Sequence, residues 1–282
     1  MSRERGLLAA IRNHQTGAFL AITFGWGWAF YVTAALVIAD HPEREWWLVF
    51  FQTPGAAAAL IAGHVVRHAR GGRQSVERGW RRYLEWRKPW WMYAVAFLAL
   101  PLLGGIAAAI VGRPGSGLAE MWQEVGLFTL LFLPISVIGQ LATSPLLEEY
   151  GWRGFLQPLL QQRHPALPSA VIVGLLWGLH HVPIALAFDL SVWLTVFGAV
   201  GPSILAAWLL NEGVGSMVHV MILHASLNVS LQVIAPAGAL FDVLVILFAV
   251  IVVVVTGTVN LARRPRFTLA AEESSSTGPA SC

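Results

Sequence analysis

The sequence has little charge and a single cysteine. Charged residues make up 12% of the 282 residues, whereas a soluble globular domain carries about 25%. With 56% hydrophobic residues and a mean hydropathy of +0.65, the chain has too little polar surface to cover a water-soluble globule of its size. Because Cys282 has no partner cysteine in this sequence, a disulfide within the chain and a metal site made of several cysteines are excluded.

The hydrophobic residues are gathered in eight long segments. A helix needs about 20 residues to cross the hydrocarbon core of a bilayer, and each segment has about that length. We therefore predict an all-α polytopic membrane helix bundle with about eight transmembrane helices. The segments span about 17–39, 46–66, 90–111, 125–147, 169–188, 192–210, 215–234 and 239–260.

The basic residues predict the topology. With eight crossings, sixteen of the 18 Lys and Arg residues fall on the side of the N-terminus, and only Arg44 and Arg113 fall on the other. Cytoplasmic loops are enriched in Lys and Arg, so both termini are predicted to be cytoplasmic, in the inner or plasma membrane of the cell. The basic stretch 67–88 is predicted to be a solvated loop beside anionic lipid headgroups, and not a nucleic-acid-binding surface.

Two glutamates end the fourth apolar segment. A charged side chain in hydrocarbon costs about 2.5–3.5 kcal/mol on insertion scales, and such residues are usually functional. Glu149 and Arg153 are four residues apart on a helix and can pair, whereas Glu148 points about 100° away and stays free. By itself, the pattern fits equally well a helix that simply ends at the membrane surface.

Polar side chains also occur in the fifth and seventh segments. Because neighbouring side chains on a helix diverge by about 100°, at most one of His180 and His181 faces a shared site. His224 and Asn228 are four residues apart and lie on one face. His219 is predicted to be structural, and hydrogen bonding between helices would be a non-catalytic explanation for the others.

These groups together could hydrolyse an acyl bond. Glu148 with His181 can act as a general base on water, and His224 with Asn228 can donate hydrogen bonds to an oxyanion. Glu148, His181 and His224 could equally bind a Zn²⁺ ion with an open position for water. The residues alone leave both mechanisms open.

Three motifs in this order resemble the CAAX-protease and bacteriocin-processing (Abi) family, which includes the type 2 CAAX prenyl endopeptidases. The resemblance covers about 125–234. The second motif often begins with Phe in the family, and here it begins with Trp. The motifs are Glu148-Glu149-x-x-x-Arg153, Trp177-x-x-x-His181 and His224-x-x-x-Asn228.

The resemblance implies an intramembrane endopeptidase. Glu148 and His181 would activate water, His224 and Asn228 would form the oxyanion hole, and the rest of the first motif would support them. The family is described both as metalloproteases and as glutamate proteases, so Zn²⁺ stays open. The implied substrate is a peptide or protein, and the family name suggests C-terminally lipidated ones.

The predicted organisation has four parts. Residues 1–124 hold three transmembrane helices with the basic loop 67–88, and residues 125–235 hold the catalytic core. A last helix occupies 236–266, and the polar tail 267–282 is predicted to be disordered.

Two other classes of function are open. A non-catalytic scaffold or bacteriocin-immunity-type protein could use the polar groups to bind a partner. A transporter could use them as an ion site, although no inverted repeat is evident. The sequence contains no His-Glu-x-x-His, no Gly-x-Ser-Gly before a helix with a partner histidine and no paired intramembrane aspartates, which argues against the other classes of intramembrane protease.

Overall fold

The computed structural model describes residues 2–40, 48–112, 129–231 and 238–274. Every regular element in these ranges is helical and none is a strand, which confirms the all-α fold. In chain order the elements are α1 (Ser2–Asn13), α2 (Gln15–Asp40), α3 (Leu48–Tyr83), α4 (Trp90–Ile110), α5 (Thr129–Leu141), α6 (Ser144–Gly151), a π-helical turn (Trp152–Leu156), α7 (Gln157–Leu160), α8 (Ala166–His180), α9 (Val182–Ala187), α10 (Val192–Gly198), α11 (Val200–Glu212), α12 (Val218–Val229), α13 (Ala239–Thr256) and α14 (Leu269–Ser274).

The helix lengths fit an integral membrane protein. Helix α13 exposes a continuous apolar surface that includes Val250, Ile251, Val254 and Val255, and such a surface suits contact with lipid rather than water. Helices α8 and α12 are apolar but shorter. Within the described ranges, four stretches are long and apolar enough to cross a bilayer: Gln15–Val37, Trp90–Ile110, Val192–Glu212 and Ala239–Thr256.

Breaks that are followed closely by a proline interrupt two of the predicted spans. The part of segment 125–147 that precedes Thr129 lies outside the described residues, and the rest is divided between α5 and α6, with Pro145 in the first turn of α6. Segment 169–188 is divided after His180, and Pro183 lies in the first turn of α9. Proline lacks the backbone N–H that a continuing helix needs, but it is accepted in a first turn.

Helix α3 contradicts the prediction of a solvated loop over 67–88. It continues to Tyr83, with an interruption at Gly71 and at Gly72, whose φ of +60° suits glycine. Val76 and Tyr83 are buried and Trp80 is partly buried. These three residues have the spacing of a single helix face, a signal that the many arginines obscured.

The C-terminal segment is also more ordered than predicted. Phe267 and Leu269 are buried, and Leu269–Ser274 forms α14. The prediction of disorder was therefore wrong for residues 267–274, because it rested on composition and ignored these two apolar residues. Residues 275–282 lie outside the described residues.

Helix α6 lies at the centre of the bundle against α3. A Cβ atom at Gly151 would lie 2.1 Å from the carbonyl oxygen of Ala59, so only glycine allows the two helices to approach this closely. A Cβ atom at Gly63 would likewise lie 3.2 Å from the Cα atom of Gly151. This packing fixes the depth at which α6 presents its two glutamates.

Candidate active site

The first motif forms a buried ion pair. Arg153 Nη1 donates to Glu149 Oε1 at 2.8 Å, and both side chains are 1% exposed. Their spacing of four residues predicted this pairing. Arg153 lies in the π-helical turn Trp152–Leu156, and such turns frequently occur at functional sites.

Glu148 faces the second motif. Its Oε2 accepts a hydrogen bond from Trp177 Nε1 at 2.6 Å, and its Oε1 lies 3.6 Å from His181 Nε2. That distance is too long for a direct hydrogen bond, and Glu148 Oε1 is buried with no hydrogen-bond partner among the described residues. A water molecule in contact with both atoms can join them. The carboxylate is fully buried while His181 is 29% exposed, so the imidazole lies on the accessible side.

The backbone fixes the orientation of His181. Its Nδ1 lies 2.8 Å from the carbonyl oxygen of Trp177, and because a carbonyl only accepts, Nδ1 must carry a proton. In the neutral ring, Nε2 then presents its lone pair toward Glu148. The residue lies between α8 and α9, where the chain changes from one helix to the next.

The third motif faces α6. His224 Nδ1 lies 2.7 Å from Glu149 Oε1, and Asn228 Nδ2 donates to Ser144 Oγ at 3.2 Å. His224 and Asn228 therefore lie on one face of α12, as their spacing predicts. Sequence reasoning missed both partners. Because the carboxylate accepts the Nδ1 proton, Nε2 is the nitrogen left to contact a substrate, and it donates only when the ring carries two protons.

Trp177 joins all three motifs. Its ring centroid lies 4.5 Å from the Arg153 guanidinium, 4.9 Å from the His224 ring and 5.8 Å from the His181 ring. Sequence reasoning treated it only as the bulky aromatic residue of the second motif. A tryptophan at membrane depth needs a partner for its N–H, and that partner is Glu148. A phenylalanine could not make this hydrogen bond.

The other histidines of the fifth and seventh apolar segments, His180 and His219, are buried and contact groups outside the three motifs. His180 is fully buried, and a Cβ atom on Gly27 would lie 2.1 Å from its Nε2. Its ring packs against other aromatic rings, including Tyr31 at 5.0 Å. His219 Nε2 lies 2.8 Å from the carbonyl oxygen of Leu209. Of the neighbouring histidines, His181 is thus the one that approaches the carboxylate.

The arrangement does not fit the predicted zinc ligand set. Glu148 and His181 approach each other, but His224 is bound to Glu149 through its Nδ1. Within the described part of the chain, no three His, Cys, Asp or Glu side chains are grouped closely enough to hold a metal ion. The side chains as they lie thus form two separate carboxylate–histidine pairs.

Comparison with known proteins agrees with the motifs. Residues 126–230 match the family described as type II CAAX prenyl endopeptidase Rce1-like. The predicted resemblance to the type 2 CAAX prenyl endopeptidases is confirmed. The matched segment contains all three motifs. Over 152 residues, the chain is 25% identical to a protein named CAAX prenyl protease 2 from Methanococcus maripaludis, an alignment that covers 50% of this chain and 56% of the relative. The chain thus spans about half the length of this curated relative.

Proposed function

We propose that this protein is an intramembrane endopeptidase that hydrolyses a peptide bond with water activated by Glu148 and His181. The observation that carries the proposal is the 3.6 Å gap between a fully buried carboxylate and a partly exposed imidazole. Both groups have their remaining polar atoms engaged by Trp177. They are thus oriented with one oxygen and one nitrogen toward the same point, which a water molecule can occupy.

The reaction adds water across the peptide bond. The Glu148–His181 pair accepts a proton from the water molecule, and the water oxygen attacks the carbonyl carbon. When the C–N bond breaks, the pair returns the proton to the leaving amine. His224, with Glu149 as its acceptor, and Asn228 would stabilise the oxyanion. With its Nδ1 proton held by Glu149, His224 donates to the oxyanion through Nε2 when the ring carries two protons.

The proposed substrate is a peptide or protein that reaches the membrane. The relative's name supports a CAAX protein as the substrate, and such a substrate would carry a C-terminal lipid. The basic residues on the side of the N-terminus support a cytoplasmic location for both termini. With that orientation, the Glu pair lies near the cytoplasmic face and cleavage would occur there.

The test is the variant Glu148→Gln, which keeps the size of the side chain and removes its basicity. We expect proteolysis to fall by about 10²–10⁴-fold, the usual contribution of a general base. Cleavage is measured on membrane proteins from cells that lack the endogenous protein and express either form. Glu212→Gln is the matched control, because Glu212 accepts from the backbone of Arg263 and is no part of the three motifs.

Two results would contradict the proposal. Undiminished cleavage by folded Glu148→Gln would show that this carboxylate is not the base. If the unmodified protein and both variants fail to cleave any membrane protein, but the unmodified protein and Glu148→Gln still bind the same partner, a non-catalytic scaffold is favoured. The same preparations, assayed with a chelator and analysed for metal content, test zinc: stoichiometric metal together with chelator sensitivity would replace the metal-free mechanism.

A further inference from the structure

A polar cavity lies away from the three motifs. It has a volume of about 510 Å³ and lies between the junction of α1 with α2, helix α3 and the turn that follows α7. A cavity of this size is within the range of small-molecule sites, about 300–1,000 Å³. Its polar lining includes His14, Gln15, Arg70, Arg163 and His164. We call it the basic cavity.

The basic cavity lies at the polar edge of the membrane. Gln15 is the first residue of the candidate span Gln15–Val37, and the apolar helix Ala166–His180 begins shortly after His164. The cavity is therefore lined by the ends of two apolar helices. The phosphate groups of lipids occupy the same depth, immediately outside the hydrocarbon core.

The charges in this cavity have one sign. Arg163 and the two histidines are exposed, and none of the lining residues is acidic. Among the described residues, Arg163 has no carboxylate within salt-bridge distance. Arg70 is different, because its Nε donates to Glu273 at 2.7 Å and its Nη1 to Gln15 at 2.9 Å. Arg163 is therefore the cation that is available to a ligand, while Arg70 adds a partly neutralised charge.

We propose that the basic cavity binds a phosphate group, and that the phosphate is that of an anionic phospholipid. Guanidinium groups bind phosphate oxygens through charge-assisted hydrogen bonds, and basic pockets at the membrane surface bind anionic headgroups. The position at the polar edge favours a lipid over a free anion, since the acyl chains could follow the apolar surfaces of α2 and α8. The site is separate from the proposed active site and does not depend on the proposed function.

The experiment uses the full chain in an uncharged detergent. Thermal unfolding is followed as dioctanoyl phosphatidylglycerol is added, because a ligand that binds only the folded state raises the melting temperature by an amount that depends on its concentration relative to Kd. Parallel titrations use dioctanoyl phosphatidylcholine and inorganic phosphate. We expect phosphatidylglycerol to bind and Arg163→Gln to weaken that binding about fivefold. Arg163→Lys should retain most of the affinity.

The control is Arg264→Gln. Arg264 is also exposed and lies outside the basic cavity, so its loss should change the affinity less than twofold. Stabilisation by inorganic phosphate that also requires Arg163 would support the phosphate site but assign it to a free anion. Equal losses in Arg163→Gln and Arg264→Gln would mean a diffuse attraction to anions. The proposal would be overturned by equal losses of phosphatidylglycerol affinity in the two variants. It would also be overturned if phosphatidylcholine bound as well as phosphatidylglycerol, or if none of the three compounds stabilised the protein.

Discussion

Two buried arginine–glutamate pairs contact the π-helical turn. Arg153 and Glu149 are four residues apart, whereas Arg67 and Glu272 join α3 to the C-terminal helix α14. The N–O distances are 2.8 and 2.7 Å, and all four side chains are at most 3% exposed. Arg67 also donates to the carbonyl oxygen of Gly154, inside the turn that carries Arg153.

The pairs differ in what else their charges do. Glu149 shares the oxygen that accepts from Arg153 with His224, a residue of the proposed active site. Arg67 instead divides its donors among Glu272 and the backbone carbonyls of Ser75 and Gly154. The first pair thus connects to groups that could do chemistry, and the second connects secondary structure elements. Similar burial and distance therefore do not imply a similar role.

Removing the carboxylate of the first pair should have the largest effect. Glu149→Ala leaves Arg153 as a buried charge without its carboxylate, which typically costs about 3–5 kcal/mol in the free energy of unfolding. It also removes the acceptor that orients His224, so proteolysis should be lost even at temperatures where the variant is folded. Unfolding in detergent and cleavage are measured together. Glu149→Gln keeps one acceptor oxygen, so its stability and its activity should lie between those of Glu149→Ala and the unmodified protein. A fully stable, fully active Glu149→Ala would contradict the role assigned to this pair.

Trp177→Phe tests the hydrogen bond that Trp177 donates to Glu148. The variant keeps an aromatic ring beside the Arg153 guanidinium and removes the N–H that binds Glu148 Oε2. Hydrogen bonds to charged groups contribute about 1.5–3 kcal/mol. We expect a loss of this size in the free energy of unfolding and, in the folded variant, a fall in kcat of about 10- to 100-fold with KM nearly unchanged. Trp193→Phe is a suitable control, because Trp193 is 74% exposed and outside the motifs. An equal fall in kcat in Trp177→Phe and Trp193→Phe would mean that the indole N–H of Trp177 does not contribute to catalysis.

The local pair could be predicted from the sequence and the distant pair could not. Helical periodicity relates Glu149 to Arg153, and it also placed His224 and Asn228 on one face. No local rule relates Arg67 to Glu272, because 205 residues separate them. The contact of His224 with Glu149 was missed for the same reason, because this contact depends on how α12 packs against α6. The fold class followed from composition, while the helix breaks depended on particular prolines and glycines.

Breaking the Arg67–Glu272 pair should lower the free energy of unfolding by less and should leave activity nearly unchanged. Glu272→Ala leaves Arg67 with its two backbone acceptors, so we expect a loss of about 1.5–3 kcal/mol, the value of one hydrogen bond to a charged group. Cleavage measured well below the melting temperature should stay within about threefold of the unmodified protein, because no group of the three motifs is lost. Glu272→Gln is the conservative comparison. If folded Glu272→Ala lost as much cleavage activity as Glu149→Ala, both pairs would affect the active site to the same extent.

The smallest expected effect is increased local unfolding of the C-terminal helix α14 at acidic pH. The hydrogen bonds from Arg70 lower the pKa of Glu273 in the folded protein. A carboxyl group whose folded pKa is depressed stabilises the fold fully above its unfolded pKa, about 4.3, and loses that contribution as the pH falls through the lower folded value. Hydrogen exchange in α14 should therefore become faster below about pH 4 relative to that in α13. In Glu273→Gln, exchange in α14 should be faster at neutral pH, and this acid-dependent step should be absent. If the step persists in Glu273→Gln, another group anchors the helix, and the contrast between the two buried pairs would have to include it.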